Sequence, residues 1–245
     1  MKIALMYHDV YTETPHESGF QNASAFQYKI SVSEFEAQVK AISEYCKKNI
    51  DTEVEFTFDD GGISFLNVIA PILEKYNQKG IFFITTKFLN TPLFLDDKQL
   101  EELHRHGHII GSHSHSHNEM SKLNDEEINN EWKKSLRILQ KFTSNDIYAS
   151  IPNGDTRNYV ELSAEKHKIK KLYTSTPTTK NNCRGNMDLI GRYVVYQGMT
   201  SKEVLTIISS FSCRKKMYLK WYVLRIIKLL FGNKYNKIKS KFFRK

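Results

Sequence analysis

Cysteine is scarce in this chain. The 245 residues hold three, Cys46, Cys183 and Cys213, widely spaced and without a Cys-x-x-Cys pair. Neither a disulfide framework nor a thiolate zinc site is implied. Long apolar runs are missing as well. The chain opens MKIALMYHDV, where five apolar residues precede His8 and Asp9. A secretory segment needs about 7–15 apolar residues and a small-residue cleavage site. No signal peptide is therefore expected, and the protein is expected to be cytoplasmic. No repeat of 20–50 residues is evident, which excludes a solenoid. Apolar residues at 40% and charged ones at 26% describe an ordinary folded domain. They exclude a disordered chain, a collagen-like repeat and a multi-span membrane protein.

The net charge of +9 is unevenly placed. Residues 214–245 hold twelve Lys or Arg and no acid, whereas residues 1–213 carry a net charge of −3. The sequence thus divides into a body, residues 1–212, and a basic tail, residues 213–245. Within the tail, residues 217–231 read MYLKWYVLRIIKLLF. At helical spacing Leu219, Tyr222, Val223, Ile226 and Leu230 share one face, and Lys216, Lys220, Arg225 and Lys228 fall mainly on the other. The segment is too short and too charged to span a bilayer, which takes about 20 apolar residues. A basic amphipathic helix with Trp and Tyr suits an anionic membrane surface instead. The competing expectation is a last helix packed on the body with a solvated basic end. No nucleic-acid partner is expected, because no recognised module accompanies the basic run.

In the body, short runs rich in Ile, Val, Phe and Tyr predict strands at 2–7, 54–58, 80–85, 108–112, 147–151, 171–174 and 192–196. Amphipathic runs between them predict helices at 33–47, 63–76, 124–141, 156–168 and 201–210. Ser33 is the expected cap of the first, Pro71 is expected to kink or restart the second, and Asn124 is expected to cap the third. About seven strand–helix repeats favour a parallel sheet, either a (β/α) barrel or an open doubly wound sheet. Both layouts place chemistry just past the C-terminal ends of strands.

Two motifs meet that condition. Phe56-Thr57-Phe58-Asp59-Asp60-Gly61-Gly62 runs a strand into two adjacent carboxylates. Neighbours on a regular strand point to opposite faces, so both acids can serve one site only where the backbone departs from it, as the glycines permit. Read blandly, it is an acidic turn. The second motif is Gly111-Ser112-His113-Ser114-His115-Ser116-His117. Six of the nine histidines fall between positions 104 and 117, and imidazoles are ligands for zinc and similar ions. His113 and His117, four apart, are expected to face one side of a helical turn, with His115 pointing elsewhere. Two imidazoles and one carboxylate leave coordination positions open for water and substrate. A solvated His-rich loop is the bland alternative.

TFDDG followed about fifty residues later by His-Ser-x-x-His resembles the polysaccharide deacetylases, the NodB-homology or carbohydrate esterase family 4 domain. Ser150-Ile151-Pro152-Asn153-Gly154-Asp155 is similar to that family's third motif, and Leu189-Ile190-Gly191-Arg192 more weakly to a later one. The resemblance covers residues 3–196. It implies a distorted (β/α) barrel of about seven strands and hydrolysis of the N-acetyl, or N-formyl, amide of an amino sugar. It also implies Asp59 as general base and Asp60, His113 and His117 as ligands of one divalent metal ion. Zinc is the first choice, and Co2+, Ni2+ or Fe2+ suit the same donors. The backbone N–H of Asn153, after Pro152, corresponds to an oxyanion donor, and Ser114 is expected to steady the metal ligands by hydrogen bonds. Most members carry the general acid on a late Leu-x-His. Here only His167 follows, inside a polar helical run. Leu5-Met6-Tyr7-His8-Asp9-Val10 instead resembles the N-terminal Tyr-His motif of the poly-N-acetylglucosamine deacetylase branch, which makes His8 the expected acid. Ser150 departs from the family, since many members place an arginine there to hold the base.

The expected substrate is an N-acetylated carbohydrate, either a polysaccharide or a lipid-linked sugar of surface exopolysaccharide assembly at the inner membrane face. Two other readings stand beside it. A metal-independent glycoside hydrolase would use Asp59 and Asp60, although its carboxylates must flank a bond at roughly 5–9.5 Å. A non-catalytic, sugar-binding protein of the same fold would need no general base.

Overall fold

The computed structural model describes residues 1–143, 146–154, 157–180 and 182–231. Strand β1 (Lys2–Tyr7) is followed by the short β2 (Val10–Tyr11), helix α1 (Ala23–Phe26) and β3 (Ile30–Ser31), which pairs with β2. Helix and strand then alternate through α2 (Val32–Lys48), β4 (Glu53–Phe58), α3 (Ala70–Lys75), β5 (Gly80–Ile84), α4 (Asp97–Arg105) and β6 (Ile109–Ser112). The pattern continues with α5 (Asp125–Leu139), β7 (Ile147–Ser150), α6 (Asn158–Lys166) and β8 (Ile169–Tyr173). A hairpin of β9 (Asn182–Arg184) and β10 (Met187–Ile190), then β11 (Arg192–Val194), α7 (Ser201–Ser209) and α8 (Phe211–Phe231) complete the described chain.

The main sheet runs β11-β1-β4-β5-β6-β7-β8-β10-β9, parallel throughout except for β9 on β10. The chain passes from one side of this sheet to the other across a single residue: β10 pairs with β8, Gly191 follows, and β11, the opposite edge strand, pairs with β1. A Cβ on Gly191 would sit 2.4 Å from the Thr176 carbonyl oxygen, so only glycine passes this corner. The fold is thus a curled α/β sheet with helices outside it, and each of the seven expected strands is present within two residues of its expected ends. Register aligns Tyr7 with Phe58, Phe58 with Phe82 and Ile84 with Ser112. The residues that follow these strands, His8, Asp59 and His113 among them, therefore gather on one rim.

Local chemistry explains the helix boundaries. Helix α2 is capped by Ser31 rather than Ser33, because Glu34 lies three residues beyond Ser31 and returns a hydrogen bond to its backbone N–H (3.1 Å). Asn124 caps α5 as expected, with Glu127 closing the box. The 63–76 run divides into a wide π turn at Phe65–Ile69 and α3, which takes Pro71 into its first turn, where a missing N–H costs nothing. Of the expected 156–168 helix, Thr156 lies outside the described residues. Helix α4 escaped the sequence reading because only Leu100 and Leu103 of its nine residues are buried.

One half of the core is aromatic: Tyr7, Phe35, Phe56, Phe58, Phe65 and Phe82 pack between β1, β4, β5 and helices α2 and α3. The Tyr7 and Phe58 rings stack at 5.5 Å and those of Phe58 and Phe82 at 5.0 Å. Trp132, Ile128, Ile169 and Leu172 centre a second cluster under α5 and α6. The segment between β1 and α2 is tied down by the buried Asp9. Its carboxylate accepts from Ser18 Oγ (2.6 Å) and Ser64 Oγ (2.9 Å), while the buried Lys29 ammonium donates to the carbonyls of Pro15 and Ser18. Helix α8 starts at Phe211, before the expected tail, and is fastened by the buried Arg214, whose Nη1 donates to the last carbonyls of α7 at Ile207 and Ile208 (2.8 and 2.7 Å). Among the described residues no helix is long and apolar enough to cross a membrane. Residues 232–245 of the expected tail lie outside the described part.

Gly62 lies against this polar knot: a Cβ there would fall 1.9 Å from Asp9 Oδ1. Gly62→Ala is expected to lower stability by about 1–3 kcal/mol, the range for overpacking a filled site. A urea midpoint equal to that of the parent protein would contradict this.

Candidate active site

Strand β4 delivers two carboxylates to one place by leaving extended geometry. The Asp59 N–H still donates to the Tyr7 carbonyl (3.1 Å), continuing the ladder to β1. Asp60 then turns to φ 92°, with Gly61 at 95°, and the Asp60 carbonyl accepts from Thr85 beyond β5. For a non-glycine residue that conformation costs about 1–3 kcal/mol. It brings the Asp60 carboxylate round to the same rim as Asp59.

Strand β6 ends on Ser112 and delivers His113. The segment that follows is not the helical turn expected from the four-residue spacing. Ser114 and His117 both take positive φ, 62° and 63°, and the loop is pinned from outside. Glu131 of α5 accepts from the N–H groups of His115 (2.9 Å) and Ser116 (2.7 Å) and from Ser116 Oγ. Ser114 Oγ accepts from the His117 N–H (3.2 Å). The loop turns back so that the His113 and His117 rings lie 5.1 Å apart. His115 points away and meets Thr86 Oγ1 at 3.0 Å.

Asp60, His113 and His117 each offer a donor atom, and these atoms lie within 4.8 Å of one another. His117 Nε2 is 3.2 Å and His113 Nε2 3.5 Å from Asp60 Oδ1. That oxygen is buried, yet it has no aligned hydrogen-bond partner among the described residues. His113 Nδ1 faces Ser150 Oγ (2.5 Å) and the Ser150 carbonyl (3.2 Å), which assigns the proton to Nδ1 and leaves the Nε2 lone pair toward Asp60. Burial, only partly opposed by Asp59 and Asp60, pushes His113 down to about 4, so it is neutral at pH 7. Burial also opposes ionisation of Asp60, but His117, then His8 and His113, outweigh it and hold the carboxyl below its usual range. Two imidazole nitrogens and an ionised carboxylate converging on one point fit a divalent cation.

Asp59 has a different partner. Arg192, the first residue of β11, grips it with two parallel bonds, Nη1–Oδ1 at 2.7 Å and Nη2–Oδ2 at 2.8 Å. Both side chains are buried. Desolvation raises the Asp59 pKa, but the Arg192 charge, followed by His113, more than offsets it, so the carboxyl is held below the usual range. Arg192 also bonds Thr57 Oγ1 and the Thr174 carbonyl and lies over the Phe83 ring (5.5 Å). The arginine missing at position 150 is thus supplied by β11. Ser150 occupies the space between, 3.2 Å from Asp59 Oδ1. In the sequence Arg192 stands only at the end of the weakly matching Leu189-Ile190-Gly191-Arg192. The available signal was a lone cation in the apolar run IGRYVVY, since a buried cation requires a buried anion.

The remaining candidates stand around a cavity of about 830 Å³ above this rim. His8 follows β1, lines the cavity and stacks on Tyr28 at 4.6 Å, which in turn stacks on Tyr196 at 5.4 Å. The buried His8 Nδ1 has no partner among the described residues. Asn153 takes φ 59° after the buried Pro152, lines the cavity, and its Nδ2 donates to the His117 carbonyl (3.3 Å). Asp155, in the same motif, lies outside the described residues. His167 ends α6 and does not line the cavity.

The polysaccharide deacetylase family model matches residues 46–172, just over half of the sequence. The chain belongs to the polysaccharide deacetylase family. It is 26% identical to YxkH of Bacillus subtilis over 196 residues, 80% of this chain and 66% of that one, slightly less than two thirds of the relative's length. Among solved structures it superposes on the Streptococcus pyogenes deacetylase PplD in complex with acetate, with a TM-score of 0.68, 22% identity and coverage of 84% of this chain and 97% of that one. IcaB from Ammonifex degensii is similar in fold at the same TM-score, with 16% identity and coverage of 85% of this chain and 97% of that one. These likenesses agree with the curled parallel sheet and with the resemblance carried by TFDDG and His-Ser-x-x-His.

Removing Arg192 would strand a buried carboxylate. Arg192→Met is expected to cost about 3–5 kcal/mol, read from urea unfolding at pH 7; a loss under 1 kcal/mol would mean that the pair is not buried as described. Glu131 holds the loop that carries His117 from outside. Glu131→Gln is expected to weaken zinc binding by about 10–100-fold in calorimetry, and an unchanged affinity would contradict that role.

Proposed function

We propose that this family member is a metal-dependent hydrolase that removes the N-acetyl, or N-formyl, group from an amino sugar. The observation that carries the reading is the pairing of two differently held carboxylates. Asp60 converges with two imidazoles, and Asp59, beside it, is kept ionised by Arg192. Asp60, His113 and His117 are assigned to hold one divalent ion, zinc first. When bound, such an ion polarises an amide carbonyl and lowers the pKa of water.

The protein's own groups supply the rest. Asp59 is assigned the proton of the attacking water, and the Arg192 fork keeps its carboxylate charged and oriented for that transfer. The Asn153 N–H is assigned to the amide oxygen as negative charge develops there. His8, which lines the same cavity, is assigned to protonate the departing amine, with the Tyr28 ring stacked on its imidazole. Ser114 and Ser150 keep the two ligand histidines in place. The aromatic side chains of Phe20, Tyr28 and Tyr196, which line the cavity, suit the apolar faces of sugar rings.

The reading includes an anionic membrane surface as partner of α8 and the basic segment after it. Support comes from the outer side of α8, where Leu219 and Leu230 are 60% and 72% exposed beside Tyr222, Val223 and Ile226.

Acetate release from N-acetylated glycans tests the chemistry. It should vanish in EDTA and return with zinc, and Asp60→Ala should abolish it. Asp59→Asn should lower kcat by about 10²–10⁴, the usual worth of a positioned base. Activity that survives the chelator and yields new reducing ends would point to a glycoside hydrolase and overturn the proposal. For the membrane, the full chain should sediment with phosphatidylglycerol vesicles and a Leu219→Glu/Val223→Glu variant should not. Equal sedimentation of both would remove α8 from the contact.

A further inference from the structure

Helix α8 walls the active-site cavity. Met217, Lys220, Trp221, Leu224, Arg225 and Lys228 line it together with Asp60 and His117. These positions form one face of a helix. The opposite face carries Tyr218, Leu219, Tyr222, Val223, Ile226 and Leu230, all exposed. The usual amphipathic order is inverted: the helix turns its cations toward the cavity and its hydrocarbon outward. Lys220 and Lys228 are eight residues apart, about 12 Å along the axis at 1.5 Å per residue, with Arg225 between them. Arg157 lines the same cavity from the start of α6. Among the described residues, the acids that share it have partners. Asp59 is held by Arg192, Asp60 lies between two imidazoles, and Glu119 pairs with Lys122 at 2.9 Å. Three cations of α8 thus stand in a row on the wall of the cavity that holds Asp60 and His117.

We infer that the substrate is an N-acylated amino sugar joined to a lipid through a phosphate, whose phosphate is bound by Lys220, Arg225 and Lys228. A neutral glycan calls for aromatic faces and hydroxyl partners and has no use for a row of cations. A phosphate or diphosphate has several acceptor oxygens and draws Arg and Lys from more than one direction. Trp221 adds an aromatic side chain to the same wall, with Arg225 over its ring at 5.3 Å. The hydrocarbon of the same molecule then has the outer face of α8 to run along. One helix would thus hold both the charged and the apolar part of a single substrate. The inference rests on the amide-hydrolase reading only for where the acylated sugar sits.

The test measures binding of N-acetylglucosamine, N-acetylglucosamine 1-phosphate and farnesyl-diphosphate-linked N-acetylglucosamine to the full chain by calorimetry, with acetate release from each followed in parallel. The 1-phosphate should bind at least tenfold more tightly than the neutral sugar, and the margin should shrink as salt is added. The lipid-linked compound should bind more tightly again. A Lys220→Gln/Arg225→Gln/Lys228→Gln variant with unchanged circular dichroism should lose the tenfold margin. Leu219→Ser/Leu230→Ser should weaken the lipid-linked compound alone. Equal affinity for charged and neutral sugar, or a margin that the glutamine variant keeps, overturns the inference. Displacement of the sugar phosphate by phosphatidylglycerol vesicles would assign the cations to headgroups and overturn it too. Acetate release separates the two proposals. A phosphate margin without any acetate leaves this inference standing and fails the hydrolase reading, whereas hydrolysis without a phosphate margin does the reverse.

Discussion

The buried ion pair between Arg192 and Asp59 constrains much of the molecule. Two charges taken out of water cost several kcal/mol each unless they are matched in geometry and their remaining bonding capacity is filled. Here the fork is bidentate, Thr57 and the Thr174 carbonyl take further guanidinium N–H groups, and Ser150 bonds the carboxylate. Meeting those requirements joins residues 133 positions apart and ties the end of β4 to β11, the last strand of the described chain. Gly191 has to be a corner without a side chain so that the chain can leave β10, beside β8, and reach β1 as β11. The same pair keeps Asp59 ionised, so its environment differs from that of the neighbouring Asp60, which lies beside two imidazoles.

The rest of the rim is held by polar groups outside the Asp60, His113 and His117 cluster. Asp9, Ser18, Ser64 and Lys29 lock the loop that carries His8 and Tyr28 to the region just after Asp60. Glu131 does the equivalent for the loop of His117. Both acids are buried or nearly so, and each is satisfied by several donors, the condition under which a buried polar network rigidifies a site. Rigidity matters because the converging nitrogens and Asp60 Oδ1 have to keep their places against mutual desolvation.

The strands were legible because each is a short apolar run ended by a turn-forming or polar residue, and because two motifs fall directly after strand ends. Asp60, His113 and His117 were legible as a group for the same reason, as a carboxylate pair and a histidine cluster each following a strand. Arg192 was not legible as the partner of Asp59, since pairing across the sheet depends on which strands become neighbours, and local pattern says nothing of that. Asp9 and Glu131 were hidden among 27 acids for the same cause. The helical turn expected for His113–His117 failed because spacing alone cannot see the positive φ values that Glu131 and Ser114 stabilise. In α8 the wheel separated cations from hydrocarbon correctly, but which face meets the body depends on where Arg214 fastens the helix.

The proposed chemistry requires that Asp60, His113 and His117 share one metal ion. X-ray absorption of the zinc-loaded protein tests it most directly. The account expects a first shell of oxygen and nitrogen at about 2.0–2.1 Å with outer-sphere scattering from two imidazoles, falling to one imidazole in His117→Ala. A sulfur shell, or an imidazole count that His113→Ala and His117→Ala both leave unchanged, would contradict it.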